Sequence, residues 1–570
     1  MKFIELDEKK CDECYKCLRV CPTKAIVFTD SRRDIVDEMC IKCGVCQASC
    51  PQEALTIQND KYKIKKNLQL GKQIVISLAP SYVAAFNTDQ PKKIITALRQ
   101  LGAQWVEETS VAAEIVSQAY EKQIQLDPKK NILTTCCPSA NYLVQYYHPE
   151  LLDYMLPIDS PMIAHGKMLK EKFGKDCYVV FIGPCLAKKA EAEAKGYIDA
   201  VLTFNELLDW LNESNIDYQK QPSGTFDADS TIRGMAYPVG GSLFQNDRIT
   251  PINSQYNLLR VDGIERCKDL LDTLENNGIQ NYCIEMNICH GSCVNGPDMP
   301  HDGQTYYQRK DRMLHYLKQH DSQKTLSAIL QEETQKLSFA QIFESKPTIL
   351  KRPNSEEIRQ ILRQIDKYSE KDELNCGSCG YDSCKDKAIA VFNNLSKPQM
   401  CLPYLRSKAE NLSSAIFENT PNLVCVLDHE LNIIDYNPTF ESVFNINHMS
   451  LKGMPISGFM QETLFAKCLE DKNSIIGQRE HIEGLEKVFL CNAVYTERFI
   501  LCVMTDMTQS EKSRQELAKV KEKTLMTCQE VINNQMRVAQ EIASLLGETT
   551  AETKVNLNRL KEIVLLDEGY

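Results

Sequence analysis

The order of apolar and polar residues divides the chain into two patterned regions, and the first covers about residues 65–345. Short apolar runs such as Gln73–Leu78 and Val179–Ile182 predict buried strands. Amphipathic stretches such as Ala112–Lys122 and Ser160–Phe173 lie between such runs and predict helices. This alternation of strands and helices is typical of an α/β domain.

The second region begins near residue 412 with several β-like runs, and a polar helical stretch follows from residue 509. In that stretch apolar residues repeat every seven positions, which predicts a coiled-coil stripe, with an ordinary amphipathic helix as the alternative. Before this region, Asn354 or Ser355 is predicted to cap a helix, because acidic residues follow at positions 356 and 357. The β-like runs are Leu423–Leu427, Ile433–Tyr436, Val488–Tyr495 and Phe499–Met504, and the repeat consists of Leu525, Ile532, Ala539 and Leu546.

Length and composition bound the number of domains and the compartment. A chain of 570 residues, 43% of them hydrophobic, suggests about four domains, each with its own core. The net charge of −11 argues against nucleic acid as the main partner. Residues 1–8 are too charged for a signal peptide, and no apolar run approaches the ~18 residues of a membrane span. We therefore expect a cytoplasmic protein without a membrane span.

The chain has 25 cysteines, and their spacing favours metal clusters over disulfides. Within residues 1–60 the run Cys-x2-Cys-x2-Cys-x3-Cys-Pro occurs twice, which is the pattern of two [4Fe–4S] clusters that exchange their fourth ligands. A zinc site is the alternative. The segment resembles bacterial dicluster ferredoxins, which implies electron transfer. One cluster would take Cys11, Cys14, Cys17 and Cys50, and the other would take Cys40, Cys43, Cys46 and Cys21.

Three later cysteine segments each follow an apolar, strand-like run. They are Thr134–Pro138, Gly183–Lys189 and Cys289–Cys293. Ligands of open α/β sheets lie beyond the carboxyl ends of the strands, so thiolates placed there can converge although they are ~150 residues apart. Because thiolates are soft ligands, we expect iron–sulfur chemistry or zinc at this point.

Together with Ser77–Ser81 and the glycine turn Val239–Gly241, these segments resemble the H-cluster domain of [FeFe] hydrogenases over about residues 70–345. The resemblance implies that four thiols hold a [4Fe–4S] cluster. It also implies that Cys293 bridges to a dinuclear iron subsite bearing CO and cyanide. A plain [4Fe–4S] site is the alternative. The four thiols are those of Cys137, Cys185, Cys289 and Cys293.

The same resemblance assigns roles to residues beside these thiols. Lys188, Ser81 and the backbone near Ala79 and Pro80 would hydrogen-bond the cyanides. A buried ammonium beside an anionic ligand is physically reasonable, since each offsets the desolvation of the other. The alternative for Lys188 is a surface lysine, as we expect its neighbour Lys189 to be.

The chain departs from the family pattern mainly in the residues that would transfer protons. Cys136 matches the proton-relay thiol of the family, with a simple buried cysteine as the alternative. Val111 and Leu156 stand where productive hydrogenases carry a relay carboxylate and a relay serine, and neither side chain transfers protons. Glu108 is a candidate substitute, although a solvated helix-face charge is the alternative for it and for Glu107. Other departures beside the subsite are Gly183, Asn287 and Met162.

Two further segments resemble known domains. Four thiols at cluster spacing resemble a small [4Fe–4S] domain found beside redox modules, with zinc as the alternative. Residues 412–508 resemble a PAS domain, through Asn432–Pro438 and the exit Asp506–Thr508, and this implies sensing and dimerisation. No residue there marks a haem or a flavin. The four thiols are those of Cys376, Cys379, Cys384 and Cys401.

The sequence therefore predicts a multidomain protein that combines α/β and α+β folds, in an order that resembles the PAS-bearing, sensory class of [FeFe] hydrogenases. The expected domains are a ferredoxin-like domain at 1–62, an H-cluster domain at 63–348, a [4Fe–4S] domain at 355–408, a PAS domain at 409–509 and a helical output segment at 510–570.

Our leading interpretation is a low-turnover hydrogenase that binds and oxidises H2 at an H-cluster and releases the proton by Cys136. Electrons would pass to two [4Fe–4S] clusters in the ferredoxin-like domain, and a further [4Fe–4S] cluster would lie beyond them. The signal would leave through a homodimer of PAS domains and C-terminal helices, and a separate phosphatase or kinase would read it. The alternatives are a productive hydrogenase that exchanges electrons with ferredoxin, and a non-catalytic iron–sulfur scaffold.

Overall fold

The structure is a computed structural model that describes residues 3–240, 255–300, 302–320, 336–348, 350–444, 450–482 and 485–546, together with 555, 558 and 559. It divides into two compact units, Met1–Leu405 and Arg406–Tyr570, which are described separately. None of the helices in the described residues is long and apolar enough to cross a membrane.

Strands and helices are labelled here in chain order. The strands are β1 Ile4–Leu6, β2 Ile26–Phe28, β3 Arg33–Ile35, β4 Leu55–Ile57, β5 Ile74–Leu78, β6 Trp105–Glu108, β7 Ile132–Leu133, β8 Tyr178–Gly183, β9 Ala200–Thr203, β10 Asn257–Asp262, β11 Tyr282–Asn287, β12 Leu423–Leu427, β13 Ile433–Tyr436, β14 Ile475–Ile482, β15 Lys487–Tyr495 and β16 Ile500–Asp506. The α-helices are α1 Lys16–Val20, α2 Val45–Ser49, α3 Lys61–Gln69, α4 Tyr82–Ala85, α5 Lys93–Gln100, α6 Ser110–Leu126, α7 Pro138–Tyr147, α8 Pro161–Phe173, α9 Ala187–Lys195, α10 Phe204–Glu213, α11 Ile232–Met235, α12 Ile264–Glu275, α13 Tyr306–Lys318, α14 Ser355–Arg363, α15 Cys384–Phe392, α16 Leu402–Asn419, α17 Pro438–Phe444, α18 Thr463–Glu470 and α19 Thr508–Leu546.

The two N-terminal cysteine repeats fold into two small antiparallel pairs, β1 with β4 and β2 with β3. Their core is built around Leu18 and Phe28, and it continues into Tyr381 and Leu395 of the third cysteine segment. The Phe28 N–H donates to the Leu395 carbonyl at 3.0 Å, and the Lys397 N–H donates to the Phe28 carbonyl at 3.0 Å. The third cysteine segment therefore packs on the N-terminal repeats and shares their core.

The central region confirms the α/β prediction and contains two parallel sheets. One has the strand order β6-β5-β8-β9 and the other the order β10-β11-β7. The predicted strands at 73–78 and 179–182 correspond to β5 and β8, whose residues are all buried. Burial on both faces is expected for parallel strands that are covered by helices. The two predicted helices correspond to α6 and α8.

The predicted helix cap before residue 356 is present at Asn354. Its side-chain oxygen accepts from the backbone N–H groups of Glu356 and Glu357 at 3.0 and 2.9 Å. The Glu357 carboxylate in turn accepts from the Asn354 N–H at 2.7 Å. This reciprocal arrangement is a capping box, which satisfies N–H groups that the first turn of a helix leaves without partners.

The second unit contains a five-stranded antiparallel sheet with the order β13-β12-β16-β15-β14. Its core includes the buried aromatic residues Phe440, Phe465 and Phe489. The four predicted β-like runs correspond to β12, β13, β15 and β16, whereas β14 was not predicted. The predicted helical stretch is the single helix α19 of 39 residues. The side chain of Leu546, the last member of the heptad repeat, lies outside the described residues.

Candidate active site

The predicted thiols lie at the carboxyl ends of strands from both parallel sheets. In the second sheet, β7 ends two residues before Thr135-Cys136-Cys137 and β11 ends two residues before Cys289. In the first sheet, β8 ends two residues before Cys185, and β5 leads directly into Ala79–Ser81. The site therefore forms where the carboxyl ends of the two sheets face each other.

One cavity brings these segments together. Burial raises the pKa of the Cys185 thiol to about 11, and the neighbouring Cys137 thiol adds to the effect. Burial also raises the pKa of Cys289 well above its usual value, with further contributions from Cys185 and Cys137. Such thiols ionise only when a positive charge compensates them, and a bound metal supplies that charge. The predicted ligands that line the cavity are Cys137, Cys185, Cys289 and Cys293.

Ser81 and its neighbours form another wall of the same cavity, with Ala79 and Pro80 beside it. The Ser81 hydroxyl is fully buried and has no hydrogen-bond partner in the described residues. A buried polar atom without a partner is costly, so a hydrogen-bonding group in the cavity would remove that cost. The residues present therefore fit a sulfur-bound metal cluster that carries hydrogen-bond acceptors.

Lys188 lines the cavity and is buried, as the resemblance implied, whereas the expectation that Lys189 is exposed is wrong. Lys188 Nζ donates to the Glu191 carboxylate at 2.7 Å and to the Cys136 carbonyl at 3.3 Å. Burial lowers the pKa of Lys188, but the Glu191 carboxylate outweighs this and holds the pKa above its usual value. Lys189 points away to Glu206, with Nζ 2.8 Å from both carboxylate oxygens.

Cys136 also lines the cavity, and the Tyr120 hydroxyl donates a hydrogen bond to it. Burial, and then the charge of Glu285, raise the pKa of Cys136 to about 12. The Tyr120 hydroxyl lies 3.8 Å from Cys136 Sγ and 3.1 Å from Thr135 Oγ1. Thr135 Oγ1 lies 3.1 Å from the Leu156 carbonyl oxygen and 2.8 Å from that of Ile158, and its single proton is shared between these acceptors. Backbone carbonyls cannot pass a proton on, so the hydrogen bonds through Tyr120 and Thr135 provide no route to solvent.

Gly183, where the family pattern has a methionine, makes room for an aromatic ring. A β-carbon on Gly183 would lie 2.8 Å from two ring carbons of Phe181 and 3.0 Å from Cβ of Ala79. Phe181 lines the cavity, as do Met162 and Asn287. The small residue at 183 is therefore matched by a large one two positions earlier on the same strand.

The two glutamates at the end of β6 are buried, so a solvated surface charge is wrong for both. Glu107 is 3% exposed and Glu108 is 1% exposed. Glu108 lies in a separate cavity with Lys92, Ser230 and His320, and burial raises its pKa. Glu107 contacts Trp105, His165 and Lys172 instead. Nothing in the sequence marks His165 as its partner, because a single polar position within an amphipathic helix has no distinctive signal.

The N-terminal thiols gather in the two sets that the sequence spacing predicts. Burial raises the pKa of Cys17 to about 12, and the thiols that add to this are Cys11, Cys50 and Cys14. The charges of Cys21, Cys43 and Cys40 likewise raise the pKa of Cys46, after the larger effect of burial. The charge of Cys43 also contributes to the raised pKa of Cys289 in the central cavity, so this second set lies beside the central thiols.

The third cysteine segment forms a small cavity of its own, and Tyr381 lies at its wall. The charges of Cys379 and Cys21 both raise the pKa of Tyr381, after the larger effect of burial. Tyr381 therefore lies between this segment and the N-terminal thiols. The four cysteines that line this cavity are Cys376, Cys379, Cys384 and Cys401.

Comparison with protein families agrees with this organisation. Residues 72–297 match the model of the iron-only hydrogenase large subunit, C-terminal domain. The central region is therefore similar to an iron-only hydrogenase domain. Around it, residues 3–51 match a 4Fe-4S dicluster domain, residues 372–403 an Fe-S cluster domain and residues 411–479 a PAS domain. The predicted combination of hydrogenase, ferredoxin-like, iron–sulfur and PAS domains is thereby confirmed.

Individual relatives cover parts of the chain around the hydrogenase domain. Iron hydrogenase 1 of Clostridium pasteurianum is 27% identical over 374 residues, which are 53% of this chain and 65% of that protein. The chain thus spans just under two thirds of the length of that relative. A cytosolic Fe-S cluster assembly factor, NAR1 of Kluyveromyces lactis, is 33% identical over 91 residues, which are 15% of this chain and 19% of that protein. Among solved structures, a variant of the [FeFe]-hydrogenase from Chlamydomonas reinhardtii is 17% identical, with a TM-score of 0.39, and the match covers 49% of this chain and 95% of that chain.

Proposed function

We propose that this chain is a sensory [FeFe] hydrogenase of the cytoplasm, which binds and oxidises H2 and reports it through its PAS domain. The observation that carries the proposal is the single cavity at the carboxyl ends of two sheets. It contains the four predicted ligand thiols and the thiol of Cys136, the buried Ser81 hydroxyl, which has no partner in the described residues, and the charged Lys188. A reducing compartment suits a chain whose described cysteines are all free thiols.

In this proposal Cys137, Cys185, Cys289 and Cys293 hold the cubane part of an H-cluster. When bound, the cluster supplies heterolytic cleavage of H2 and stores the electrons. Lys188 and Ser81 donate hydrogen bonds to its anionic ligands, and the apolar wall around Phe181 and Met162 excludes water. Cys136 takes up the proton beside the site.

The arrangement of thiols supports a short electron path that leads away from the cavity. Cys43 neighbours Cys289, so the set Cys21, Cys40, Cys43 and Cys46 would receive the electrons first. The other N-terminal set adjoins it, since the charge of Cys17 contributes to the raised pKa of Cys46. That set consists of Cys11, Cys14, Cys17 and Cys50. Tyr381 borders the third set, and the chain continues from Cys401 through helix α16 to strand β12 of the PAS domain.

A sensory role is supported by the PAS domain and by the long helix α19 that follows it. This helix exposes apolar side chains that include Leu517, Val520 and Val531. Exposed apolar positions on a long helix fit pairing with a second copy of the chain. A phosphatase or kinase on a separate chain would then read the paired helices.

Hydrogen-dependent dye reduction by anaerobically matured protein tests the proposal. A slow but measurable rate that is lost in Cys136→Ala is expected, with the infrared bands of CO and cyanide retained in the variant. A rate as high as that of bulk hydrogenases would favour the productive, ferredoxin-linked alternative. Matured protein without CO and cyanide bands would favour the iron–sulfur scaffold, which the partial match to an assembly factor suggests.

A further inference from the structure

A buried chain of hydrogen bonds runs from another residue of the cavity lining to the protein surface. It begins at Thr109, which lines the cavity. Thr109 Oγ1 lies 2.7 Å from Ser77 Oγ, and Ser77 Oγ lies 2.8 Å from Nδ1 of His165. His165 Nε2 lies 3.1 Å from Oε2 of Glu107. The other carboxylate oxygen of Glu107 accepts from Lys172 Nζ at 2.9 Å.

Burial separates this chain from solvent everywhere except at its outer end. Ser77 and His165 are completely buried, and Thr109 is 4% exposed. The side chain of Glu107 is 4% exposed, whereas that of Lys172 is 36% exposed. The chain therefore reaches water at its outer end, where Lys172 and the partly exposed Trp105 both donate to Glu107.

The ionised carboxylate of Glu107, near the outer end of this chain, determines the direction in which its hydrogen bonds are donated. The pKa of Glu107 is lowered to about 2, because hydrogen bonds from His165 and Lys172 outweigh the effect of burial. An ionised carboxylate only accepts, so the His165 nitrogen that faces it, Nε2, carries a proton, and in the Nε2–H tautomer Nδ1 is an acceptor. Ser77 must then donate to Nδ1 and accept from Thr109, so every donor points outward from the cavity.

Thr109 is also free for this role within its helix. It is the N-cap of α6, a position at which threonine usually accepts from a backbone N–H of the first turn. Its side chain makes no such bond here and instead contacts Ser77. The hydroxyl therefore serves the buried chain and not the end of the helix.

We propose that Thr109, Ser77, His165 and Glu107 form the proton route between the cavity and solvent, in place of the family's relay residues at 111 and 156. The inference rests on the proposed function, since it needs a reaction that releases protons in the cavity. A proton that Cys136 passes across the cavity, which both residues line, enters at Thr109 Oγ1. It displaces the hydroxyl proton of Thr109 to Ser77, and that of Ser77 to His165 Nδ1. His165 then gives its Nε2 proton to Glu107, and Glu107 releases it to solvent beside Lys172. Each group gains one proton and loses one, and no electrons move. The hydroxyl protons and the His165 ring proton return to their starting positions before the next transfer.

The test uses matured full-length protein with two variants that interrupt the route, Glu107→Gln and Ser77→Ala. Glu108→Gln is the matched control, because it removes a buried charge from the neighbouring residue without touching the route. We expect at least a tenfold loss of H2 oxidation and a changed solvent isotope effect in both variants. The CO and cyanide bands should be unchanged, and the control should stay within twofold of the parent. Rates within twofold of the parent in both variants, with the bands present, would overturn the route.

A second measurement keeps the route testable if a variant fails to fold or the chain has no turnover. Nitrogen-15 histidine NMR of the full-length chain, prepared without iron, reports which ring nitrogen of His165 carries the proton. The resonance is assigned by its absence in His165→Gln. We expect the Nε2–H form, and the Nδ1–H form would overturn the route because Ser77 could not then donate to the ring. Absent CO and cyanide bands would instead count against the proposed function alone.

Discussion

Replacing Gly380 with alanine tests how the third cysteine segment packs on the N-terminal repeats. Gly380 has a φ of +94°, and a β-carbon there would lie 2.8 Å from Cγ of Leu18. The left-handed backbone costs a residue with a β-carbon about 1–2 kcal/mol. Overpacking against a fully buried leucine adds about 1–3 kcal/mol. We therefore expect Gly380→Ala to destabilise this contact by about 2–5 kcal/mol in total.

Gly377→Ala is the matched control, because Gly377 has a φ of +68° but the nearest atom to the added carbon is the Tyr381 carbonyl oxygen at 3.9 Å. The two variants share the backbone cost and differ by the overlap with Leu18. Hydrogen exchange of helix α15 measures the local opening in proteins of equal iron content. The difference of about 1–3 kcal/mol corresponds to exchange about 5- to 150-fold faster in Gly380→Ala. Equal exchange in both variants would refute the packing described here.

Three other predictions concern stability. Lys189→Met should lower the free energy of unfolding by about 3–5 kcal/mol, because it leaves the largely buried Glu206 carboxylate without its ion-pair partner. Adding Glu206→Gln should restore more than half of it in urea unfolding, and purely additive losses would contradict the pairing. Asn354→Ala should cost about 1 kcal/mol through the lost cap while Asn354→Ser costs less, as thermal unfolding will show, and equal melting temperatures would argue against the cap. Removing iron with a chelator should speed amide exchange in residues 3–57 by about tenfold or more, because so small a core depends on its clusters, and unchanged exchange would show that it does not.

The parts of the fold that the sequence predicts well are those with a regular spacing. Buried runs such as β5 and β8 predict strands, and the cysteines that follow them predict where the cavity lies, because parallel strands present their carboxyl ends on one side. Strand β14 escapes prediction because its side chains are mostly exposed and its apolar positions do not alternate. It is an edge strand, so its pairing depends on β15 and not on its own pattern.

The polar interior of the site could not be predicted, because it depends on contacts between distant segments. Lys189 follows Lys188 directly, yet the two side chains diverge to Glu206 and Glu191. His165 is 88 residues from Ser77 and 58 from Glu107, and no local pattern links them. These residues become neighbours only in the folded chain, where helix α8 lies against strands β5 and β6.

Infrared spectroscopy of the matured chain tests the central claim most directly, namely that the four thiols of one cavity hold a cluster with CO and cyanide ligands. Our account predicts absorption bands of both ligands in the parent protein and their loss in Cys185→Ser, with the other iron–sulfur clusters retained. A fully iron-loaded chain that shows only [4Fe–4S] signals and no such bands would contradict it.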